Sequence, residues 1–169
     1  MEYQPQPPRG RPVASDPYFT LMADERGIGF VHCSDAVLVV PLSGEGQVLL
    51  MSEYSPAFGG EVLVLPGGEI EAGEALAETA NRELQEELGW RAGRLDFMGE
   101  LRPFKYLAAR QFVFLARDLS PSRLPGDERH PITVRPVALD RFTDLCANGE
   151  LYDASAIAAL FLVQRYVAA

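Results

Sequence analysis

The chain has 169 residues, of which 47% are hydrophobic, and this is enough for one globular domain with a sizeable core. The formal net charge of −9 argues against binding along a nucleic-acid phosphate backbone, because proteins of that class present a basic face. Two cysteines, Cys33 and Cys146, are too few for a disulfide framework and lack the spacing of metal ligands, so we expect free thiols in a reducing cytoplasm.

Residues 1–17 are rich in Pro, Gln and Arg, which predicts a flexible or extended N-terminal arm. The arm lacks the basic and then apolar order of a secretory signal. The longest apolar run of the chain is too short to span a bilayer, so no membrane partner is expected.

A short hairpin is predicted for residues 18–35, and the main domain for residues 36–169. Residues 18–22 and 28–33 are strand-like and flank a turn that contains a glycine. The hairpin therefore forms an extension that precedes the main domain.

The main domain begins with two apolar runs, at residues 36–42 and 47–53, joined by the turn 43–46. Runs of this kind around a glycine-containing turn are typical of a paired hairpin, so we expect these two strands to pair. A short strand at residues 61–65 then leads into Gly67 and Gly68.

A helix of about four turns is predicted after this glycine loop. Ala77, Ala80, Leu84 and Leu88 form a narrow apolar stripe at helical spacing, and Gly89 is suited to end the helix. Further strands and helices follow it, in the order strand 95–101, strand 111–117, strand 133–138, helix 140–148 and helix 154–167. This order predicts an α/β protein with a mixed sheet covered by helices.

Three carboxylates, Glu83, Glu86 and Glu87, occur at i, i+3 and i+4 of the predicted helix and therefore share one arc of its surface. Such a cluster most often forms a solvated acidic face of a helix. Alternatively, the three carboxylates form a metal site. Oxygen ligands without histidine or thiolate neighbours suit Mg²⁺, and Mn²⁺ can substitute for it. Arg82 is placed to hold one of these carboxylates through a charge-assisted hydrogen bond.

The longer pattern around this cluster resembles the signature of the Nudix hydrolase superfamily. The matching positions share fixed spacing over more than twenty residues; they are Gly68, Glu74, Arg82, Glu83, Leu84, Glu86, Glu87 and Gly89. The sequence differs from the signature only at its last position, where Trp90 replaces the usual aliphatic residue. Residues 36–166 are similar to the branch that contains ADP-ribose pyrophosphatases and ADP-compounds hydrolases. The resemblance implies a Nudix-type α/β/α sandwich with the N-terminal hairpin as an extension.

The resemblance also implies roles for individual residues. Glu83 and Glu87 become the main Mg²⁺ ligands, Glu86 contributes directly or through water, and the Gly68 carbonyl is a further ligand. In similar ADP-ribose pyrophosphatases a glutamate on a late loop orients or deprotonates the attacking water, and Glu128 occupies the corresponding region here. Such a base is expected to accept the proton of the water that attacks phosphorus.

Substrate contacts are expected after the third main-domain strand. Tyr106 is suited to stack on an adenine, while Lys105 and Arg110 are suited to meet phosphate oxygens. Tyr54 is a further candidate, because it follows the second core strand where that branch commonly carries an arginine. Structural roles are the more common alternative for Tyr106, Lys105 and Arg110, since tyrosines often pack at strand ends and cations are often solvated.

The expected activity is a Mg²⁺-dependent pyrophosphohydrolase that releases AMP from ADP-ribose, NADH or diadenosine polyphosphates. Two alternatives remain, a pyrophosphatase that sanitises nucleoside triphosphates and a non-catalytic ligand sensor with the same fold. Relatives with an N-terminal hairpin often form dimers through it, so a homodimer is expected.

Overall fold

The computed structural model describes residues 3–7, 9–126 and 131–168. Ten strands are found in this part of the chain: β1 (Arg11–Ser15), β2 (Thr20–Ala23), β3 (Gly29–His32), β4 (Ala36–Pro41), β5 (Gln47–Ser55), β6 (Gly60–Val64), β7 (Trp90–Leu101), β8 (Leu107–Ala108), β9 (Gln111–Pro121) and β10 (Thr133–Ala138). The helices are α1 (Leu76–Glu83), which continues as a π-helical turn (Leu84–Leu88), α2 (Phe142–Ala147) and α3 (Ala154–Val167). The mixed α/β composition predicted from the sequence is confirmed.

Two three-stranded sheets form the middle layer, with the strand orders β4-β9-β7 and β10-β5-β6. Strand β4 lies parallel to β9, whereas β7 lies antiparallel to β9. The segment that follows β6 runs beside β4, since Val39 N–H donates to the Pro66 carbonyl at 2.8 Å. This segment joins the two sheets and carries the glycine loop.

Side chains of β4 alternate between two hydrophobic clusters, one on each side of the middle layer. Val37 and Val39 pack with α1 and the π-helical turn, while Leu38 and Val40 pack with α2 and α3. All four are buried. A strand buried on both faces has a continuous apolar sequence, and the resulting three layers confirm the α/β/α sandwich.

The predicted hairpin of β4 and β5 is wrong. The two strands lie in different sheets, and only an isolated bridge between Leu42 and Val48 connects them. Both runs are apolar on both faces, so their sequences do not specify one partner. Leu42 N–H donates to the Ala116 carbonyl at 2.9 Å, which keeps the end of β4 beside β9 as the chain turns towards the other sheet.

The N-terminal extension is a larger sheet than the sequence predicts. The hairpin of β2 and β3 is confirmed, and β1 pairs with β2 inside the segment expected to be an arm. Strand β8 pairs in parallel with β3, so the complete order is β1-β2-β3-β8. The extension is thereby joined to the main domain through the chain that follows β7.

One predicted packing residue is corrected, and the buried side of α3 is defined. Ala77 is exposed, and the buried apolar residue in that first turn of α1 is Leu76. On α3, Phe161 and Val167 are 46% and 44% exposed, because the buried side of this helix is formed by small residues and leucine at Ala156, Ala159, Leu160 and Val163. Both predicted thiols, at Cys33 and Cys146, are free.

Candidate active site

The acidic helix is fixed by its apolar side. Leu76, Ala80, Leu84 and Leu88 are all buried in the cluster that also contains Val37 and Val39. Because these residues hold one face against the sheet, the adjoining face is positioned with it. Glu83 and Glu87 lie on that adjoining face and are each only 7% exposed.

The last turn of this helix is π-helical and contains Glu86 and Glu87. Gly89 ends it in the left-handed conformation, with φ of 73°, and its N–H donates to the Leu84 carbonyl. Isolated π turns inside helices are frequent at functional sites. The sequence predicts the helix and its end at Gly89, whereas it contains no signal for the change of helix type.

Arg82 lies among the carboxylates and connects them. Its Nε is 3.0 Å from Glu74 Oε1, and its Nη1 is 2.7 Å from Glu83 Oε1 and 3.1 Å from Glu86 Oε2. Its Nη2 donates to the Glu69 carbonyl at 2.9 Å. A planar guanidinium with several donors fixes these oxygens relative to one another, which a single ammonium group would not do.

Charge complementarity is visible in the pKa values around Arg82. Hydrogen bonding to Glu74 raises the pKa of Arg82 most, and Glu83 raises it further. Burial pushes the pKa of Glu74 upward, but the hydrogen bonds from Arg82 and Thr79 outweigh burial and leave this pKa below its ordinary value. Both side chains are therefore charged at neutral pH.

The glycine loop closes the site from the other side. Gly67 N–H donates to Glu87 Oε2 at 2.9 Å. A Cβ atom on Gly68 would overlap the Glu83 carboxylate, and one on Gly67 would overlap the Val37 carbonyl oxygen. The two glycines thus allow the backbone to approach both the carboxylates and β4. The Gly68 carbonyl accepts a hydrogen bond from Val37 N–H at 2.9 Å, which occupies one of its two lone pairs.

Within residues 3–7, 9–126 and 131–168, no three acidic, histidine or cysteine side chains already converge as a preformed metal cage. Glu83 and Glu86 instead each direct one oxygen to Arg82. The donor set still fits a hard divalent cation, because two carboxylates lie nearly buried beside a backbone carbonyl. Glu128, expected to act as a base, lies outside the described residues.

The four expected substrate contacts do not form one group. Lys105 and Tyr106 lie together just before β8, with the Lys105 ammonium 4.8 Å from the centre of the Tyr106 ring, and Tyr106 is 44% exposed. Arg110 is ion-paired with Asp35 at 2.6 Å, and its side chain is only 11% exposed. The guanidinium of Arg110 thus serves a buried ion pair, and its expected phosphate contact stays a prediction.

The role of Tyr54 stays a prediction as well, and its position follows from the geometry of β5. Alternation along β5 places it on the same face as Leu50 and Ser52, and Leu50 packs in the cluster with α2 and α3. Met51, on the opposite face of β5, packs with α1. Tyr54 thus lies on the side of the sheet away from the acidic helix.

A cleft with a volume of about 790 Å³ lies between the N-terminal sheet and the main domain. It reaches the glycine loop through Glu69, Ile70 and Ala72. Asp35 and Arg102 also line it, and neither was predicted as a site residue. Their position depends on contacts between distant parts of the chain, for which a single sequence contains no local signal.

Comparison with known proteins assigns this geometry to a family. A family model described as NUDIX domain matches residues 34–159, which contain the glycine loop, the acidic helix and Arg82. The chain belongs to the Nudix family. The superfamily resemblance noted in the sequence is thereby confirmed.

Two relatives of this Nudix chain are named for ADP compounds on which they act. It is 33% identical over 134 residues to the ADP compounds hydrolase NudE of Escherichia coli (strain K12), a match that covers 79% of this chain and 72% of that protein. It is 30% identical over 132 residues to the ADP-ribose pyrophosphatase of Bacillus subtilis (strain 168), covering 76% of this chain and 71% of that protein.

A solved structure agrees with these sequence matches. The crystal structure of an ADP compounds hydrolase matches with a TM-score of 0.79 and 29% identity, covering 99% of this chain and 96% of that one. The protein is therefore a Nudix hydrolase related to ADP-compounds hydrolases and ADP-ribose pyrophosphatases. Nudix hydrolases generally use a divalent metal ion. Within the described part of the chain, no helix combines the length and apolar character that crossing a bilayer requires.

Proposed function

We propose that this Nudix hydrolase is a Mg²⁺-dependent pyrophosphohydrolase that cleaves the diphosphate linkage of ADP-containing compounds and releases AMP. Its substrates are ADP-ribose, NADH and diadenosine polyphosphates. The observation that carries the proposal is the close fit of Gly67 and Gly68 against the nearly buried carboxylates of Glu87 and Glu83. The names of the relatives support the class of substrate.

The residues that would hold Mg²⁺ are Glu83 and Glu87, with Glu86 and the Gly68 carbonyl as further oxygen ligands. Mn²⁺ has the same preference for oxygen and would substitute. A bound divalent cation supplies charge neutralisation at the diphosphate and an activated water. The protein contributes the placement of its ligands, because the buried side of the helix and the loop hydrogen bond restrict their movement.

Arg82 is proposed to position Glu83 and Glu86 rather than to contact the diphosphate. Its two short contacts fix one oxygen of each carboxylate relative to the other. Glu128 remains the proposed base. Its replacement by Gln is expected to lower turnover about 10²-fold while metal binding is retained.

Lys105 and Tyr106 remain proposed substrate contacts. Their exposed cation–π pair presents a ring face and an ammonium group at the edge of the N-terminal sheet. They suit the part of a large ADP compound that extends beyond the cleft. Arg110 and Tyr54 are not part of this proposal.

A homodimer formed through the N-terminal sheet is also proposed. Apolar side chains at Val13, Phe19, Leu21 and Ile28 are between 43% and 53% exposed in this extension. Exposed apolar surface is a common feature of protein interfaces. A second copy of the chain would cover them.

The test is a panel of substrates incubated with Mg²⁺ in ¹⁸O-labelled water. We expect AMP from ADP-ribose, NADH and a diadenosine polyphosphate at least about tenfold faster than pyrophosphate from nucleoside triphosphates. The position of the label identifies the phosphorus that water attacks. Faster turnover of triphosphates would contradict the proposal in favour of a sanitising enzyme, and binding without hydrolysis would favour a ligand sensor.

A further inference from the structure

The residues Tyr3–Pro7 lie outside every strand and helix, yet they contact the main domain. Tyr3, Pro5, Gln6 and Pro7 line the cleft of about 790 Å³. Glu69, Ile70 and Ala72, which follow Gly68, line the same cleft. Residues near the start of the chain thus line a space that reaches the glycine loop.

Tyr3 is attached at a defined point. Its hydroxyl donates to Asp35 Oδ2 at 3.3 Å, and its ring meets the Phe112 ring edge to face with 6.0 Å between centroids. The Arg110 guanidinium lies 5.7 Å from the centre of the Tyr3 ring. Aromatic and cation–π contacts of this type hold a ring in one orientation.

The anchoring pair is itself well ordered by hydrogen bonds. Asp35 Oδ1 accepts from Arg110 N–H at 2.7 Å, and Asp35 Oδ2 accepts from Arg110 Nε at 2.9 Å. Arg110 Nη2 also donates to the Gln4 carbonyl at 2.7 Å. Side chains of this pair are about one-tenth exposed, so the arm is attached to a rigid buried group and not to a mobile surface charge.

The cleft has the size and composition of a nucleoside site. Its volume lies in the range of about 300–1,000 Å³ that small-molecule sites occupy. Tyr3 and Phe30 supply aromatic rings, while Arg9 and Arg102 supply cations. An extended ADP compound whose diphosphate lies at Glu83 and Glu87 has one half that must continue past Gly68, where Glu69 begins the cleft.

We propose that Tyr3–Pro7 is a strap that walls this cleft around the purine nucleoside half of the substrate, with Tyr3 as a residue that determines substrate affinity. This inference rests on the proposed function, because it takes the diphosphate to lie at the acidic helix. The contacts that hold the strap are with Asp35, Arg110 and Phe112. The strap therefore contributes to binding in the ground state and the transition state alike, and not to the chemical step.

The test is steady-state kinetics with ADP-ribose and Mg²⁺ on the full chain. Tyr3→Ser removes the ring and is expected to raise KM about tenfold while kcat stays within about twofold. Tyr3→Phe keeps the ring contacts with Phe112 and Arg110 and is expected to restore KM to within about twofold of the parent. Tyr152→Ser removes a more exposed tyrosine between α2 and α3 that does not line the cleft, and it should leave both constants unchanged.

An unchanged KM in Tyr3→Ser would contradict the proposed role of the strap. A fall in kcat that Tyr3→Phe does not restore would contradict it as well. Failure of the proposed function is visible separately, as absence of AMP from the parent enzyme. In that case equilibrium titration with AMP tests the strap alone. A Kd about tenfold higher in Tyr3→Ser than in the parent supports it, and equal affinity or no binding of AMP overturns it.

Discussion

At the scale of single residues, Arg82 is central to the site because its guanidinium contacts four oxygen-bearing groups. Glu74, Glu83 and Glu86 each contribute a carboxylate to its guanidinium, and Glu69 contributes a carbonyl. An i,i+4 spacing predicts the contact with Glu86 from the sequence alone. The contacts with Glu69 and Glu74 require the loop to fold back on the helix, and local spacing does not contain this information.

The ion pair of Glu74 and Arg82 gives a prediction for stability against pH. The pKa of Glu74 in the folded protein lies below its value of 4.5 in an unperturbed chain. A group with a depressed folded-state pKa stabilises the fold above the unfolded value, and this contribution is lost as pH falls through the folded value. We expect Glu74→Gln to lower the free energy of unfolding by about 1 kcal/mol at neutral pH, and by progressively less below about pH 4.5.

Chemical denaturation of parent and variant at several pH values measures this difference. Glu45→Gln, in the exposed turn between β4 and β5, is the matched control and should show no such pH-dependent difference. If the difference in unfolding free energy between the parent and Glu74→Gln stays constant down to about pH 3, the ion pair is not its source.

The limits of single-residue reasoning are visible at Asp35 and Tyr3. Asp35 contacts Arg110, which is 75 positions away, and Tyr3, which is 32 positions away. Neither separation corresponds to a helical or strand repeat, so periodicity does not predict these contacts. Glu83 and Glu87, by contrast, are grouped by the helix alone, and the sequence was sufficient to select them.

At the scale of elements, the site consists of one helix and one loop that hold each other in place. The apolar stripe and the stop at Gly89 predict the extent of the helix from the sequence. The pairing of β4 was predicted wrongly, because a strand that is apolar on both faces accepts either neighbour. The long strands β7 and β9 extend beyond their predicted apolar runs. Their antiparallel pairing continues as far as the cross-strand pair of Trp90 and Pro121.

The fit of the glycine loop gives a prediction that separates activity from stability. In Gly68→Ala the new methyl group meets the flexible end of Glu83, which moves away, so we expect a folded protein whose turnover is at least about tenfold lower. In Gly67→Ala the methyl group meets the Val37 backbone, which cannot move as easily. We expect that variant to lose about 1–3 kcal/mol of unfolding free energy.

Thermal unfolding and turnover, measured on the same samples, distinguish the two glycines. Gly44→Ala is the control, because nothing lies near its added methyl group and the residue is in the turn between β4 and β5. Full activity in Gly68→Ala would show that the position of the Glu83 carboxylate does not matter for catalysis.

At the scale of the whole molecule, the N-terminal sheet is joined to the main domain along two routes. Strand β3 pairs with β8, and the arm is held by the pair of Asp35 and Arg110. The cleft lies between these attachments. Sequence patterns predicted the hairpin of β2 and β3, but they did not predict β1, β8 or the cleft, because those features depend on how separate segments meet.

The exposed apolar residues of this sheet give a prediction for assembly. Light scattering should give the parent a mass of twice the 18.6 kDa chain at micromolar concentration. Leu21→Glu places a charge on the apolar sheet, which is expected to raise the dimer dissociation constant at least about tenfold. Leu162→Glu, at a leucine of similar exposure on α3, should leave the mass unchanged. A parent that is monomeric under these conditions would contradict the proposed dimer.

The most direct measurement of the central claim is the affinity of the protein for Mn²⁺, followed by electron paramagnetic resonance of the free ion. We predict that the double variant with Glu83→Gln and Glu87→Gln binds Mn²⁺ at least about 100-fold more weakly than the parent. Glu78→Gln, on the exposed first turn of the same helix, is predicted to bind it as the parent does. Equal affinity in the parent and the double variant would contradict a metal site on the acidic helix.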